Sequence, residues 1–121
     1  MRHKRVNYLK ILKIELEDLK EDMSFMIKGI EEGRHHGHMS DHVFLGNITV
    51  LKTEILGVNT FERIVNAINP DDYKNLDEMI KHLQDKVASE VRSKELPEAL
   101  FGLINRKLVK VADYVEHTSK A

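Results

Sequence analysis

The sequence predicts an all-α fold, one four-helix bundle of up-down-up-down topology spanning residues 1–121, and three observations lead there. Leu9, Leu12, Leu16, Leu19, Met23, Met26 and Ile30 follow one another at spacings of three and four, a seven-residue apolar repeat that marks a helix laid along other helices. The composition is 41% hydrophobic and 32% charged with only two prolines and six glycines, rich in helix formers and far from the profile of disorder. The same three-four spacing returns in three later stretches, and no strand-like alternation competes with it.

The first helix is expected over about residues 4–32, with Gly33 as its C-terminal cap. Its charges run against the helix dipole. Residues 2–13 carry five bases and no acid, residues 15–22 carry five acids and one base, and Glu31 and Glu32 stand at the end. Asp71, Asp72, Asp113 and Glu116 would come to the same end of the bundle as the bases and could offset them. A second copy of the helix, antiparallel, would match basic to acidic block equally well. Ile11, Ile14 and Phe25 lie off the main seam as a second apolar stripe, which predicts an interface, most simply a homodimer.

Gly33 to Ser40 reads as a loop, with Ser40 or Asp41 capping a second helix over about 41–68. Phe44, Ile48, Leu51 and Ile55 form its seam. Gly57, followed by Asn59-Thr60-Phe61-Glu62, reads as a stop and a fresh capping box, so a kink or break is expected near 57–60. Asn69-Pro70-Asp71-Asp72 then opens a third helix over about 70–93, with a capping residue, a proline at the first position and acids in the first turn. Its face carries Tyr73, Leu76, Met79, Ile80, Leu83, Val87 and Val91. Pro97 and Glu98 open the fourth, over about 97–117, with Phe101, Ile104, Leu108, Val111 and Val115 on its stripe. The first two helices form the longer hairpin, of roughly 40 Å.

Chemistry has few footholds. His35, His36, His38 and His42 cluster between the first two helices, and imidazoles four apart on a helix share a face, so a divalent transition metal could bind there. Glu78 with His82 and Asp113 with His117 are further four-apart pairs, but the ExxH pairs of ferritin-like di-iron sites are missing from the bundle interior. In size and bundle form, with His42 followed at +4 by Gly46, the chain resembles histidine phosphotransfer domains. That resemblance implies His42 as phosphoacceptor and Gly46 as the place where a response regulator approaches. Leu45 stands where those domains have a lysine, and His42 falls in the first helical turn. No serine lies in a nucleophile-elbow context, no glycine-rich phosphate loop exists, and no catalytic residue is assigned.

A net charge of −1 offers no field for nucleic acid or anionic membrane. The absence of cysteine removes disulfides and thiolate chemistry and suits the cytoplasm. The basic start is followed by apolar residues broken by Lys10, Lys13 and Glu15, unlike a signal peptide, and no run is long enough to span a bilayer. The expectation is a protein that acts by contact, as adaptor, chaperone, regulator or assembly subunit. Its partner would be a second copy or another helical protein. Metal binding at the histidine loop, and phosphotransfer through His42, are the alternatives.

Overall fold

In the structure, a computed structural model, residues 2–35, 37 and 40–118 are described, without the side chains of residues 34 and 35. They form α1 (Arg2–His35), α2 (Asp41–Ala67), a 3-10 turn (Pro70–Asp72), α3 (Leu76–Ser93) and α4 (Glu98–Thr118), with no strand among them. Long-range contacts set the packing sense. Lys4 meets Glu116 at 3.3 Å and Glu15 meets Lys107 at 3.2 Å, so α1 and α4 are antiparallel. Lys20 meets Glu62 at 2.6 Å, and Gln84 donates to Asn105 at 2.9 Å, which ties α1 to α2 and α3 to α4.

The predicted seam of α1 is core from Leu9 to Met23, whereas Met26 is exposed, Ile30 is half-buried, and of the second helix's seam Phe44, Ile48 and Leu51 lie outside the core cluster. Leu9, Leu12, Leu16, Leu19 and Met23 are buried together with Tyr8, Val58, Phe61, Val65, Met79, Leu83, Val87, Leu100, Ile104, Leu108, Val111 and Val115. Tyr8 donates its hydroxyl to the Leu108 carbonyl at 2.9 Å, which satisfies the one polar atom this ring brings into the core.

Three boundaries differ from expectation, each for a local reason. Gly33 does not end α1, which runs on to His35; the left-handed residue is Gly37, at φ 73°. Ser40 then caps α2 by accepting from the Val43 amide at 3.3 Å.

The break expected as one alternative near 57–60 is absent, and α2 is unbroken from Asp41 to Ala67. Its apparent stop signals do other work. Gly57 is buried where Leu100 and Leu96 close on the bare backbone. Asn59 accepts from the Lys20 ammonium at 3.0 Å, and Thr60 donates its hydroxyl back to the Leu56 carbonyl at 3.0 Å.

The third helix starts late. Asn69 accepts from the Asp71 amide and caps only the 3-10 turn, Tyr73 is extended, and a second cap, Asn75, accepts from the Glu78 amide at 2.8 Å to begin α3. Arg5 holds this detour. Its guanidinium donates to the Pro70 carbonyl at 2.8 Å and the Lys74 carbonyl at 3.3 Å, groups that a continuous helix would have bonded internally.

Between α3 and α4 the chain turns with Glu95 at φ 51° while the Leu96 amide reaches back to the Val91 carbonyl at 3.0 Å. This Schellman turn carries Leu96 and Leu100 to Gly57.

The two hairpins differ in length. α1 has 34 residues and α2 has 27, against 18 in α3 and 21 in α4. At 1.5 Å per residue α1 is about 51 Å long and α3 about 27 Å. The α3–α4 tip stops at the level of Gly57, and the α1–α2 hairpin continues beyond it as a two-helix tip made of about residues 24–35 and 41–53.

Gly57 and Gly46 should respond oppositely to alanine. A Cβ at Gly57 meets the Leu100 side chain, itself buried, so Gly57→Ala is expected to cost about 1–3 kcal/mol. Gly46 has nothing within 4 Å of a built Cβ, so Gly46→Ala should stabilise by about 0.5–1 kcal/mol. Urea midpoints of the two variants check both signs.

Candidate functional site

Glu15, Tyr8 and Glu54 have shifted affinities for the proton. The Lys110 ammonium at 2.9 Å and Lys107 at 3.2 Å grip Glu15 and hold its carboxyl below the usual range. Burial pushes the Tyr8 phenol well above its ordinary value. Burial also raises the carboxyl of Glu54, which takes no hydrogen bond or ion pair among the described residues. Each lies apart from the others.

Of the predicted metal ligands, only His42 has a described side chain, exposed in the first turn of α2. The side chain of His35, and both His36 and His38, lie outside the described residues. Among the described residues no three of His, Cys, Asp and Glu converge on one point. His82 packs its ring against Tyr73, with centroids 5.4 Å apart, while Glu78 accepts from the Lys74 amide. His117 sets Nδ1 2.6 Å from the Asp113 carbonyl, an intrahelical contact that leaves the Asp113 carboxylate out. For phosphotransfer, Gly46 does present open backbone next to exposed Leu45, with no lysine at that position.

The predicted apolar stripe of α1 divides. Ile11 is half-buried and packs onto the core, lining a shallow groove with Glu15, Lys110, Val111 and Tyr114. Ile14 and Phe25 point the other way, 61% and 77% exposed. They are eleven residues apart, three turns of helix, and so face almost the same direction.

The dipole conflict at the start of α1 is met inside the molecule. Arg2 pairs with Asp71 at 2.7 Å, Lys4 with Glu116 beside the end of α4, and Arg5 with two carbonyls. Asp72 and Asp113, the other two acids expected there, make no ion pair among the described residues.

A second surface escaped sequence reasoning. Along α1, Leu12 and Leu19 are buried, and the next residue at that seven-residue step, Met26, is 48% exposed. Along α2, Val43 and Val50 precede Gly57 at the same step, and each is 48% exposed. These positions continue the core-facing sides of both helices past the point where α3 and α4 end. Gly29 and Gly33 lie among them on α1 with nothing within 4 Å of a built Cβ. The signal was in the sequence as a second line on α2, Val43, Val50, Gly57 and Phe61, beside the stronger Phe44, Ile48, Leu51 and Ile55.

The two shifted carboxyls should oppose each other in pH titration. Glu15, with its folded pKa depressed, adds stability above its ordinary value of 4.5 that is lost as pH falls through the folded value. Glu15→Gln should therefore lower stability at pH 7, by up to about 1 kcal/mol, and weaken the loss on acidification. Glu54, with its folded pKa raised, contributes most at low pH, and that contribution is lost as pH rises from 4.5 through the folded value. Glu54→Gln should raise stability at pH 7. Urea midpoints at pH 7, 5 and 3 check both.

Among the described residues no helix is long and apolar enough to cross a membrane. No family model matches the chain, and no curated protein or solved structure matches it either.

Proposed function

We propose that the protein works by contact in the cytoplasm, as an adaptor, chaperone, regulator or assembly subunit, and that the tip of the α1–α2 hairpin receives an α-helical partner. The observation that supports this is where the apolar surface lies. Of nine large apolar residues exposed among the described ones, five belong to the tip: Phe25, Met26, Val43, Leu45 and Val50. Met26, Val43 and Val50 stand on the sides that are core further down, so two helices of a bundle are present there without a covering helix among the described residues.

Burying a Val or Met side chain completely is worth about 1.5–3 kcal/mol, and with these three each half exposed a helix seated on them gains roughly 2–4 kcal/mol. Open backbone at Gly29 and Gly33 lets such a helix approach closely. An amphipathic helix laid in a groove between two others uses the ridges-into-grooves packing that builds the core. An exposed apolar patch of this kind is what contact surfaces present.

The test is site-specific photocrosslinking of the full chain in cells. A crosslinker at Val50 should give a discrete adduct with another polypeptide, and one at Lys86, exposed on α3, should give none. Met26→Glu should remove the Val50 adduct and leave the urea midpoint within error of the parent. Equal labelling from Val50 and Lys86, or none from either, would overturn the reading.

A further inference from the structure

The outward face of α1, away from the core, carries His3, Asn7, Lys10, Ile14, Asp18, Glu21 and Phe25 at spacings of four and three, symmetric about Ile14. All seven are exposed, and none makes a hydrogen bond or ion pair among the described residues. Spacing of this kind makes a straight row on a helix, the arrangement used to pack one helix along another. The internal pairings described above account for Arg2, Lys4, Arg5 and Glu15. Lys10, Asp18 and Glu21 stay unmatched.

The order of the unmatched groups is the informative part. The base lies before Ile14 and the acids after it, at closely matched distances. If a second copy lies antiparallel with its two-fold axis at Ile14, residues whose numbers sum to 28 face each other. Ile14 then meets Ile14 of the other copy, Lys10 meets Asp18 twice, Asn7 meets Glu21 twice, and His3 meets Phe25 twice.

Three other arrangements fail on charge. A parallel pair sets Lys10 on Lys10 and Asp18 on Asp18. An antiparallel pair that sets Ile14 on Phe25 brings Asp18 against Glu21, and one centred on Phe25 brings Asp18 against Glu32. Like charges across a contact are what exclude a register.

We infer that the protein forms an isologous homodimer through the outward face of α1, antiparallel and centred on Ile14, with Lys10 and Asp18 as the reciprocal charge pair that sets the register. The contact is one helix on one helix with few apolar residues, at the small end of specific interfaces. The dimer is accordingly weak, and because its register rests on exposed charges, it loosens as salt rises. The inference uses a face of α1 that shares Phe25 with the hairpin tip but not Met26, and it does not depend on the tip's partner.

Charge exchange tests it. Sedimentation velocity of the full chain across a concentration series, at low salt, should show the parent as a monomer–dimer equilibrium. K10E and D18K should each weaken self-association by about tenfold or more, since each places like charges at both crossings. Circular dichroism should find both folded, because neither side chain has a partner in the monomer. An equimolar mixture of K10E and D18K should form the heterodimer, whose charges are opposite at both crossings. The double variant K10E/D18K should regain the parent's homodimer. Failure of the mixture to associate beyond either variant alone, or a parent that stays monomeric throughout, overturns the inference. So does a dimer that survives both single variants and is lost with V43E/V50E, since that dimer uses the hairpin tip.

Discussion

Leu100 lies against the bare backbone of Gly57, and this contact determines how far the four-helix core extends along α1 and α2. The Schellman turn at Glu95 places Leu96 and Leu100 at the top of the α3–α4 hairpin, and the missing Cβ at Gly57 lets them reach α2. Below that level the apolar repeat of α1 has neighbours on every inward side. Above it the same repeat continues with only α2 to cover it. Met23 is buried and Met26, one turn further, is half exposed. The exposed apolar positions of the hairpin tip follow from this division, because they lie beyond the core.

At the opposite end the constraint is electrostatic. A helix that begins with bases meets its own positive pole, and the chain answers with Asp71, Glu116 and two carbonyls outside regular helix. Arg5 is the most committed of these groups. Nearly buried, it holds the extended residues after the 3-10 turn in place and thereby sets where α3 begins. The register of α3 against α1 follows from that clasp as much as from apolar packing.

The core seam was legible because burial on several sides forces a strict repeat, and Leu9 to Met23 obey it. The limits of that core were not. The repeat tells which side of a helix meets a neighbour, and whether the neighbour is there depends on the lengths of helices far along the chain. Gly57 shows the same difficulty at one residue, since a glycine that ends a helix and one that admits a leucine from 43 residues away look alike locally. Asn69-Pro70 did mark a capped turn, but the true start of α3 belongs to Asn75, chosen through the reach of Arg5. Of the second stripe of α1, Ile14 and Phe25 are exposed, as their phase off the seam implied, whereas Ile11 went to the α4 side beside Tyr114. Val43 and Val50 were hidden behind a stronger repeat one residue away.

The hairpin tip also has a different relation to folding from the rest of the chain. Its backbone amides are bonded within their own helices, and its apolar contacts reach no further than the opposite helix. Opening the last turns of α1 and the first turns of α2 exposes little that the domain relies on, so this region can open locally while Tyr8, Leu12 and Leu108 stay packed. Stability and surface identity are thereby separated along one pair of helices. Substitutions at the tip can accumulate with little penalty to the fold, which makes the tip the part of this chain freest to acquire new specificity over evolutionary time.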